Sequence, residues 1–212
     1  MTIHSENVIL LKERGKRHMA RHKEFDEAKV LSKAMEFFWY RGYEGTSLQE
    51  LLKYLGIAKQ SMYDTYGNKH DLFLASLKHY ADQKITYLND ALERYDSPKE
   101  SIMFVFYDLV KFLIDEERKK GCFMINTAVE LAPHDQEISR LVETNMENEV
   151  SAFYRALIRA QKEGELSERH NDLMALARFL NHARYSLFIA SKSTSDPVVL
   201  NDIVKITLSV LD

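Results

Sequence analysis

Cysteine, proline and glycine are all scarce in this chain of 212 residues, and each scarcity excludes something. One cysteine, Cys122, leaves no partner for an intrachain disulfide and points to a reducing compartment. Three prolines and 7 glycines are too few turn formers for a sandwich or barrel of many short strands. No apolar run approaches the roughly 18 residues of a membrane span. Val8-Ile9-Leu10-Leu11 is too short for the apolar stretch of a signal peptide. Apolar residues make up 45% and charged residues 29%, the balance of a globular domain rather than of a disordered tail. The expectation is a soluble cytoplasmic protein with no membrane partner.

Net charge is only −3, which excludes a generic polyanion binder, but the charge is unevenly spread. Residues 1–70 carry 12 Lys and Arg against 9 Asp and Glu, whereas the remaining 142 carry 17 against 23. Within residues 1–23 the count is 6 basic to 2 acidic, with His4, His18 and His22 in addition. A basic first third on an acidic body suggests an anionic partner for the N-terminal part. A solvated charged tail would read the same way.

Helical periodicity runs through the chain. Leu31, Ala34, Met35 and Phe38 recur at i, i+3, i+4 and i+7, predicting an amphipathic helix from Phe25 to about Tyr40. Thr46, with Gln49 as a capping-box partner, starts a second helix along Leu48, Leu51, Leu52 and Leu55, and Gly56 interrupts it. A short third helix, roughly Lys59 to Tyr66, stops at Gly67-Asn68, before a long fourth from Lys69 to about Tyr95. Pro98 opens a fifth helix, apolar nearly all round and hence expected to be buried. Cys122–Leu131, Asp135 to about Glu163, Asn171 to about Ser191, and a last helix from Asp196-Pro197 follow. That last helix is apolar on two faces. The predicted fold is all-α with about nine helices.

Two short helices joined by a tight Gly-containing turn, packed on a preceding amphipathic helix, form the helix-turn-helix pattern. The third helix would present Lys59, Gln60, Ser61 and Tyr63, groups suited to base edges and phosphates in a major groove. Thr46 and Ser47 would expose helix N-terminal amides as a phosphate clamp, and Lys69 is placed for another phosphate. A helical hairpin with a polar outer face is the alternative.

Residues 24–74 resemble the DNA-binding domain of TetR-family transcriptional regulators. The resemblance is carried by Gly42-Tyr43-Glu44-Gly45-Thr46-Ser47-Leu48, by Leu52-Lys53-Tyr54-Leu55-Gly56-Ile57, and by Ser61-Met62-Tyr63-Asp64-Thr65-Tyr66-Gly67-Asn68-Lys69. Met62 and Tyr66 replace the family's usual Leu and Phe, and Leu52-Lys53 replaces the common Ile-Ala. The resemblance implies phosphate contacts for Thr46, Ser47, Tyr63 and Lys69, base reading for Lys59, Gln60 and Ser61, and a place for Tyr66 in the same DNA-binding set. Ahead of this unit, Arg14, Lys16, Arg17, Arg21 and Lys23 are candidates for a backbone or minor-groove arm, Arg21 and Lys23 lying nearest the domain. The expected division is a basic arm at 1–23, a helix-turn-helix domain at 24–70, and a ligand-binding and dimerisation domain at 71–212.

In that larger part, the final helix has more apolar face than one subunit can bury. Ala175, Ala183, Ser186 and Ala190 on the helix before it permit close approach, so a homodimer with a four-helix interface is expected. A small-molecule site should lie around the fifth helix, with Met103, Phe104, Tyr107, Val110, Cys122, Phe123, Asn126, Phe179, His182, Tyr185 and Phe188 as candidates, although each aromatic or Met could equally be core. Asn126, His182, Arg184 and Tyr185, polar residues flanked by apolar ones, are less easily dismissed as core, although the dimer seam could satisfy them equally. Cys122, at a helix start, could be a low-pKa sensor of electrophiles or oxidants, or a small buried hydrophobe. His18 and His22 have metal-compatible i, i+4 spacing but lack partners, so neither a metal nor a cofactor is expected. No nucleophile elbow, phosphate loop, zinc spacing or paired acid supports an enzyme, and His134-Asp135 implies no nucleophile. The function expected is a dimeric repressor released from a double-stranded, near-palindromic DNA operator by a small-molecule effector. An all-α enzyme, or a ligand-binding dimer without DNA binding, are the readings from other classes.

Overall fold

The computed structural model describes residues 25–115, 120–167 and 171–212; the basic arm, with Arg21, Lys23, His18 and His22, lies outside the described residues. Nine α-helices and no strand occur among the described residues, so the chain is all-α as its periodicity predicts. They are α1 (Glu27–Arg41), α2 (Leu48–Leu55), α3 (Lys59–Tyr66), α4 (Lys69–Leu92), α5 (Pro98–Leu113), α6 (Phe123–Glu130), α7 (Gln136–Lys162), α8 (Leu173–Ser193) and α9 (Pro197–Leu208). A 3-10 turn, Ser209–Leu211, closes the chain.

Side-chain caps set most of the starts. The Asp26 carboxylate accepts from the amides of Ala28 and Lys29 at 3.1 and 3.2 Å, and Asn68 and Asp71 form a reciprocal capping box at the head of α4. The cap of α2 is Ser47, whose Oγ accepts from Glu50 N–H at 3.2 Å, one residue later than the expected Thr46–Gln49 pair. Thr46 is withheld because its hydroxyl donates to the Gly42 carbonyl at 2.6 Å and its amide to the Tyr43 carbonyl at 3.2 Å. Gly42 (φ 75°) ends α1, and Gly56 (φ 71°, ψ 30°) makes the left-handed turn between α2 and α3, conformations that side chains with a Cβ resist.

α4 ends at Leu92, earlier than the expected Tyr95. Pro98 disfavours helical backbone at Ser97, and Ser97 must itself be extended to cap Glu100 N–H at 3.0 Å. Tyr95 therefore lies outside the helix, its amide donating to Ser101 Oγ at 3.0 Å and its ring set edge-on to Phe104. The α5 helix is also less enclosed than its composition suggests. Ile102, Val105, Phe106, Val110 and Leu113 are buried, whereas Tyr107 and Ile114 reach solvent.

The layers are built around α4, about 36 Å long at 1.5 Å per residue. At its N-terminal end it packs on α1, and further along it packs on α5, α6 and α7. The core there is aromatic: Phe73 of α4 lies edge-on to Phe38 of α1 at 5.0 Å and to Phe123 of α6 at 5.6 Å, and Tyr80 lies edge-on to Trp39 at 5.1 Å and to Phe123 at 5.7 Å. α7 lies along α8, and α9 packs on α5 and α8. One face of α9, with Leu200, Val204 and Leu208, is buried, while Val198, Val199 and Ile206 on the other are exposed. The two-faced pattern in the sequence is thus present in three dimensions.

Phe73 is fully buried between three helices, and truncating it leaves a cavity no neighbouring ring can fill. Phe73→Ala is expected to destabilise the fold by about 3–5 kcal/mol, read from urea unfolding followed by far-UV circular dichroism. A loss below about 1 kcal/mol would contradict this account of the core.

Candidate DNA-reading face and ligand cavity

The outer face of α3 follows from its composition. In eight residues only Met62 is buried, with Ser61, Thr65 and Tyr66 half-buried, so the helix turns its remaining polar residues outward. Lys59, Gln60, Tyr63 and Asp64 are exposed and Ser61 is half-buried. Lys59 Nζ stands 5.7 Å from the Tyr63 ring centroid, and Gln60 Nε2 donates to Asp64 Oδ1 at 2.7 Å. Gln60 is therefore oriented by Asp64, a residue that the sequence reading did not single out, although the i, i+4 spacing of the two was visible. Ser47 is exposed at the head of α2, where its hydroxyl also donates to Glu50 Oε2 at 2.7 Å.

Three other expected DNA contacts have structural partners. Thr46 is buried, and its hydroxyl and amide bonds close the α1–α2 turn, so its side chain does not offer a phosphate clamp. Tyr66 is half-buried, and its hydroxyl donates to the Glu27 carbonyl at 2.9 Å, tying the end of α3 to the start of α1. Burial, with Glu27 and Asp26 nearby, pushes that phenol up to about 12. Lys69 Nζ donates to the Tyr43 carbonyl at 2.7 Å and sits 4.0 Å from the Tyr43 ring centroid. Burial pulls its pKa down, opposed by Glu44 and Glu130. An ammonium has three donors, so this bond leaves Lys69 capacity for a further acceptor.

The turn before α2 is also gripped from the larger part of the molecule. Glu130, the last residue of α6, accepts from the amides of Tyr43 and Glu44 at 3.3 and 2.9 Å. A Cβ on Gly42 would lie 3.0 Å from both Glu130 carboxylate oxygens, so glycine serves the turn twice, by its positive φ and by its missing side chain. His70 Nε2 lies 2.6 Å from Asp135 Oδ2, while Asp135 Oδ1 caps α7 through the Glu137 and Ile138 amides. Those amides, with His70, hold the Asp135 carboxyl below its usual range.

A cavity of about 440 Å³ lies between α4, α5 and α8. From α4 it is lined by Lys84, Tyr87 and Leu88, and from α8 by Arg184 and Phe188. The α5 wall is Val105, Asp108, Leu109 and Phe112, with Lys111 and Asp115 near its end. Of the residues singled out from the sequence, Phe188 and Arg184 are among these. Met103, Tyr107 and Val110 lie on another face of α5, because a helix apolar nearly all round gives no contrast from which to phase the lining. Phe104 packs against Tyr95, and Phe179 and His182 are exposed on the outer face of α8. Phe123 belongs to the aromatic core. Asn126 bridges the Lys120 carbonyl at 3.0 Å and Lys192 Nζ at 2.6 Å.

Beneath the cavity is a buried polar cluster. Arg184 pairs with Glu149 at 2.6 Å, Tyr185 donates its hydroxyl to the same carboxylate, and Asn145 Nδ2 donates to Tyr185 at 3.4 Å. Burial opposes the Arg184 charge, and Glu149 more than offsets it, holding the guanidinium above its ordinary value. Burial and then Glu149 push the Tyr185 phenol well up. Cys122 is buried nearby, with the Tyr80 hydroxyl donating to its Sγ at 3.5 Å. Burial pushes the thiol up, and the hydrogen bonds from Tyr80 and the Ile125 amide only partly oppose it. Burial outweighs any lowering by the helix start, and Cys122 is held as a protonated thiol, as the buried-hydrophobe alternative for this residue has it.

No group of three or more His, Cys, Asp or Glu that could hold a metal occurs among the described residues, and no helix there is long and apolar enough to cross a membrane. A three-helix N-terminal unit with an exposed polar third helix, joined through one long helix to a cavity-bearing bundle, defines a helix-turn-helix transcriptional regulator. Residues 30–76 match the bacterial regulatory proteins of the tetR family, and residues 98–206 match the tetracyclin repressor-like C-terminal domain. The chain is 49% identical over 194 residues to the uncharacterized HTH-type transcriptional regulator YezE of Bacillus subtilis, covering 92% of this chain and 100% of that one. It is 29% identical over 194 residues to the HTH-type transcriptional repressor ComR of Escherichia coli, covering 91% and 92% respectively. A cysteine-substituted variant of the TetR-family regulator CifR, in complex with 26-base-pair operator DNA, superposes with a TM-score of 0.80 at 26% identity, covering 91% of this chain and 100% of that one. The chain belongs to the TetR family of transcriptional regulators.

A raised thiol pKa has a signed consequence. The folded state keeps Cys122 neutral, so its contribution to stability is complete below the unfolded thiol pKa and declines as pH rises above about 8.5. Native Cys122 is expected to react with a disulfide reagent at pH 8 at least about 100-fold more slowly than in the urea-unfolded chain, measured by thiolate release. Equal rates would show an open, activated thiol.

Proposed function

We propose that the protein is a homodimeric repressor that works in the cytoplasm, binds a near-palindromic double-stranded DNA operator through α3, and is released by a small molecule held between α4, α5 and α8. The observation that carries this reading is that α4 forms one unbroken helix from the DNA-reading unit to the cavity wall, so occupancy at one end can bias orientation at the other. The arm at 1–23, the DNA-binding unit at 24–70 and the effector unit at 71–212 are the functional parts, with α4 crossing the second boundary. Repression is supported by the likeness to ComR, which carries the description of a repressor.

Lys59, Gln60 and Ser61 are the proposed base readers, with Ser47 and Tyr63 on phosphates and Lys69 offering its remaining donors. Arg21 and Lys23 are proposed backbone contacts of the arm. Thr46 and Tyr66 act by holding the helices that carry these groups. Dimerisation is supported by apolar side chains left exposed on two helices that pack together, Phe179 and Ile189 of α8 and Val198, Val199 and Ile206 of α9, where Ile206 is 71% exposed. Two copies of this helix pair related by a two-fold axis would form a four-helix interface and fix the spacing of the two α3 helices.

The test is a fluorescence-anisotropy titration against DNA flanking the protein's own gene, with random competitor and at two salt concentrations. Competitor-resistant binding that weakens steeply with salt is expected, and binding equal to that of random DNA would defeat the proposal. Lys59→Ala is expected to weaken operator binding by about 10-fold or more and to relax preference at its base position. Ile206→Glu places a charge at the proposed seam and is expected to convert dimer to monomer in sedimentation velocity. An unchanged dimer would move the interface elsewhere.

A further inference from the structure

We propose that Asp64 fixes Gln60 as a reader of adenine, so that each operator half-site carries an A·T pair recognised through the Gln60 side-chain amide. This rests on the reading of α3 as the base-reading helix, and adds which base it selects and what enforces the choice. Gln60 is the second residue of α3 and Asp64 the sixth; both are exposed, and their i, i+4 spacing sets them on one face. Gln60 Nε2 donates to Asp64 Oδ1 at 2.7 Å. A carboxylate only accepts, so Asp64 decides which end of the Gln60 amide turns towards it. One N–H is engaged there, which leaves Oε1 and the second N–H as an acceptor and a donor side by side.

That pair of groups matches one base edge. In the major groove adenine offers its N6 amino group as donor and N7 as acceptor, the complement of Oε1 and N–H. Guanine offers two acceptors, O6 and N7, and would set O6 against Oε1. Thymine offers O4 and a methyl group, and cytosine only its N4 amino donor. A Gln60 free to turn would present either end of its amide and accommodate several of these edges. Gln60 also stands in the first turn of α3, the part of a recognition helix that reaches base edges. Asp64 has a second effect. Its negative charge, on the face turned to phosphates, weakens binding to every sequence alike. The carboxylate therefore lowers affinity for DNA in general while it sharpens the contact that depends on sequence, and both effects widen the gap between right and wrong sites.

The test is selection by the full chain from a pool of duplexes with a randomised core, then competition titrations of the recovered duplex and its single-base variants. An adenine is expected in each half-site, whose replacement by G, C or T weakens binding about 10-fold. Gln60→Ala is expected to remove that preference and leave the other positions intact. Asp64→Asn keeps the side-chain shape but lets the Gln60 amide turn. Two changes are expected together: adenine discrimination falls to about 3-fold or less, and affinity for random duplex at low salt rises about 2-fold or more. Loss of a merely structural residue would instead weaken specific and random binding alike. Both side chains are exposed, and circular dichroism establishes that each variant is folded. The proposal is overturned if no adenine preference disappears in Gln60→Ala, or if Asp64→Asn keeps the full discrimination. A defined selected sequence with no Gln60-dependent adenine overturns this proposal and upholds the regulator reading, whereas a pool with no enriched sequence overturns both.

Discussion

The structure depends on the aromatic contact that α4 makes with α1 on one side and α6 on the other. Phe73 and Tyr80, two turns apart on α4, meet Phe38 and Trp39 of α1, and both also meet Phe123 of α6. Rings of this size bury large areas, and their edge-on geometry makes the packing directional. α1 therefore cannot rotate on α4 without disturbing α6. The DNA-reading unit and the larger bundle share one core at this point, although they differ in charge and composition.

Around that core, polar contacts refine the position of the reading helix. Glu130 holds the Tyr43 and Glu44 amides, Lys69 holds the Tyr43 carbonyl, and Tyr66 holds the start of α1. Each is a bond between a side chain and a distant backbone group; those of Glu130 and Lys69 fix the turn that leads into α2, and that of Tyr66 ties the end of α3 to α1. Several residues that look like DNA contacts by type are thereby engaged in presenting other residues. The exposed set at the tip, Lys59, Gln60, Tyr63 and Asp64, is smaller and is carried on a helix with one buried side chain. Cys122 lies at the opposite end of α6 from Glu130, beside the Arg184–Glu149 pair. α6 thus runs from the buried Cys122 to the turn of the helix-turn-helix.

Most of the fold was legible in the sequence because helices announce themselves by local rules. Apolar spacing together with Gly and Pro stops located the nine helices of the described residues, and Gly42, Gly56, Gly67, Pro98 and Pro197 marked boundaries to within a few residues. Where the ends moved, the cause was competition between neighbouring signals. Thr46 was drawn into the preceding turn and Ser47 capped in its place, and Ser97-Pro98 stopped α4 short of Tyr95. The two-faced character of α9 was equally plain, since alternate buried and exposed stripes on one helix are a property of spacing alone.

The cavity was not legible, apart from Phe188 and Arg184. Its lining depends on which side of α5 faces α4 and α8, and a helix that is apolar on nearly every side carries no local mark of its rotation. The Glu149 partner of Arg184 and Tyr185 was hidden for a related reason: Glu149 and Arg184 are 35 residues apart, and only the packing of α7 along α8 brings them to 2.6 Å. By itself the sequence determined the all-α class, the order and approximate limits of the helices, and the motif that reads DNA, because these rest on contacts within a few residues. Tertiary structure decided which polar groups remain exposed, where the cavity opens, and how the Cys122 thiol titrates, because each depends on the burial and partners supplied by distant segments.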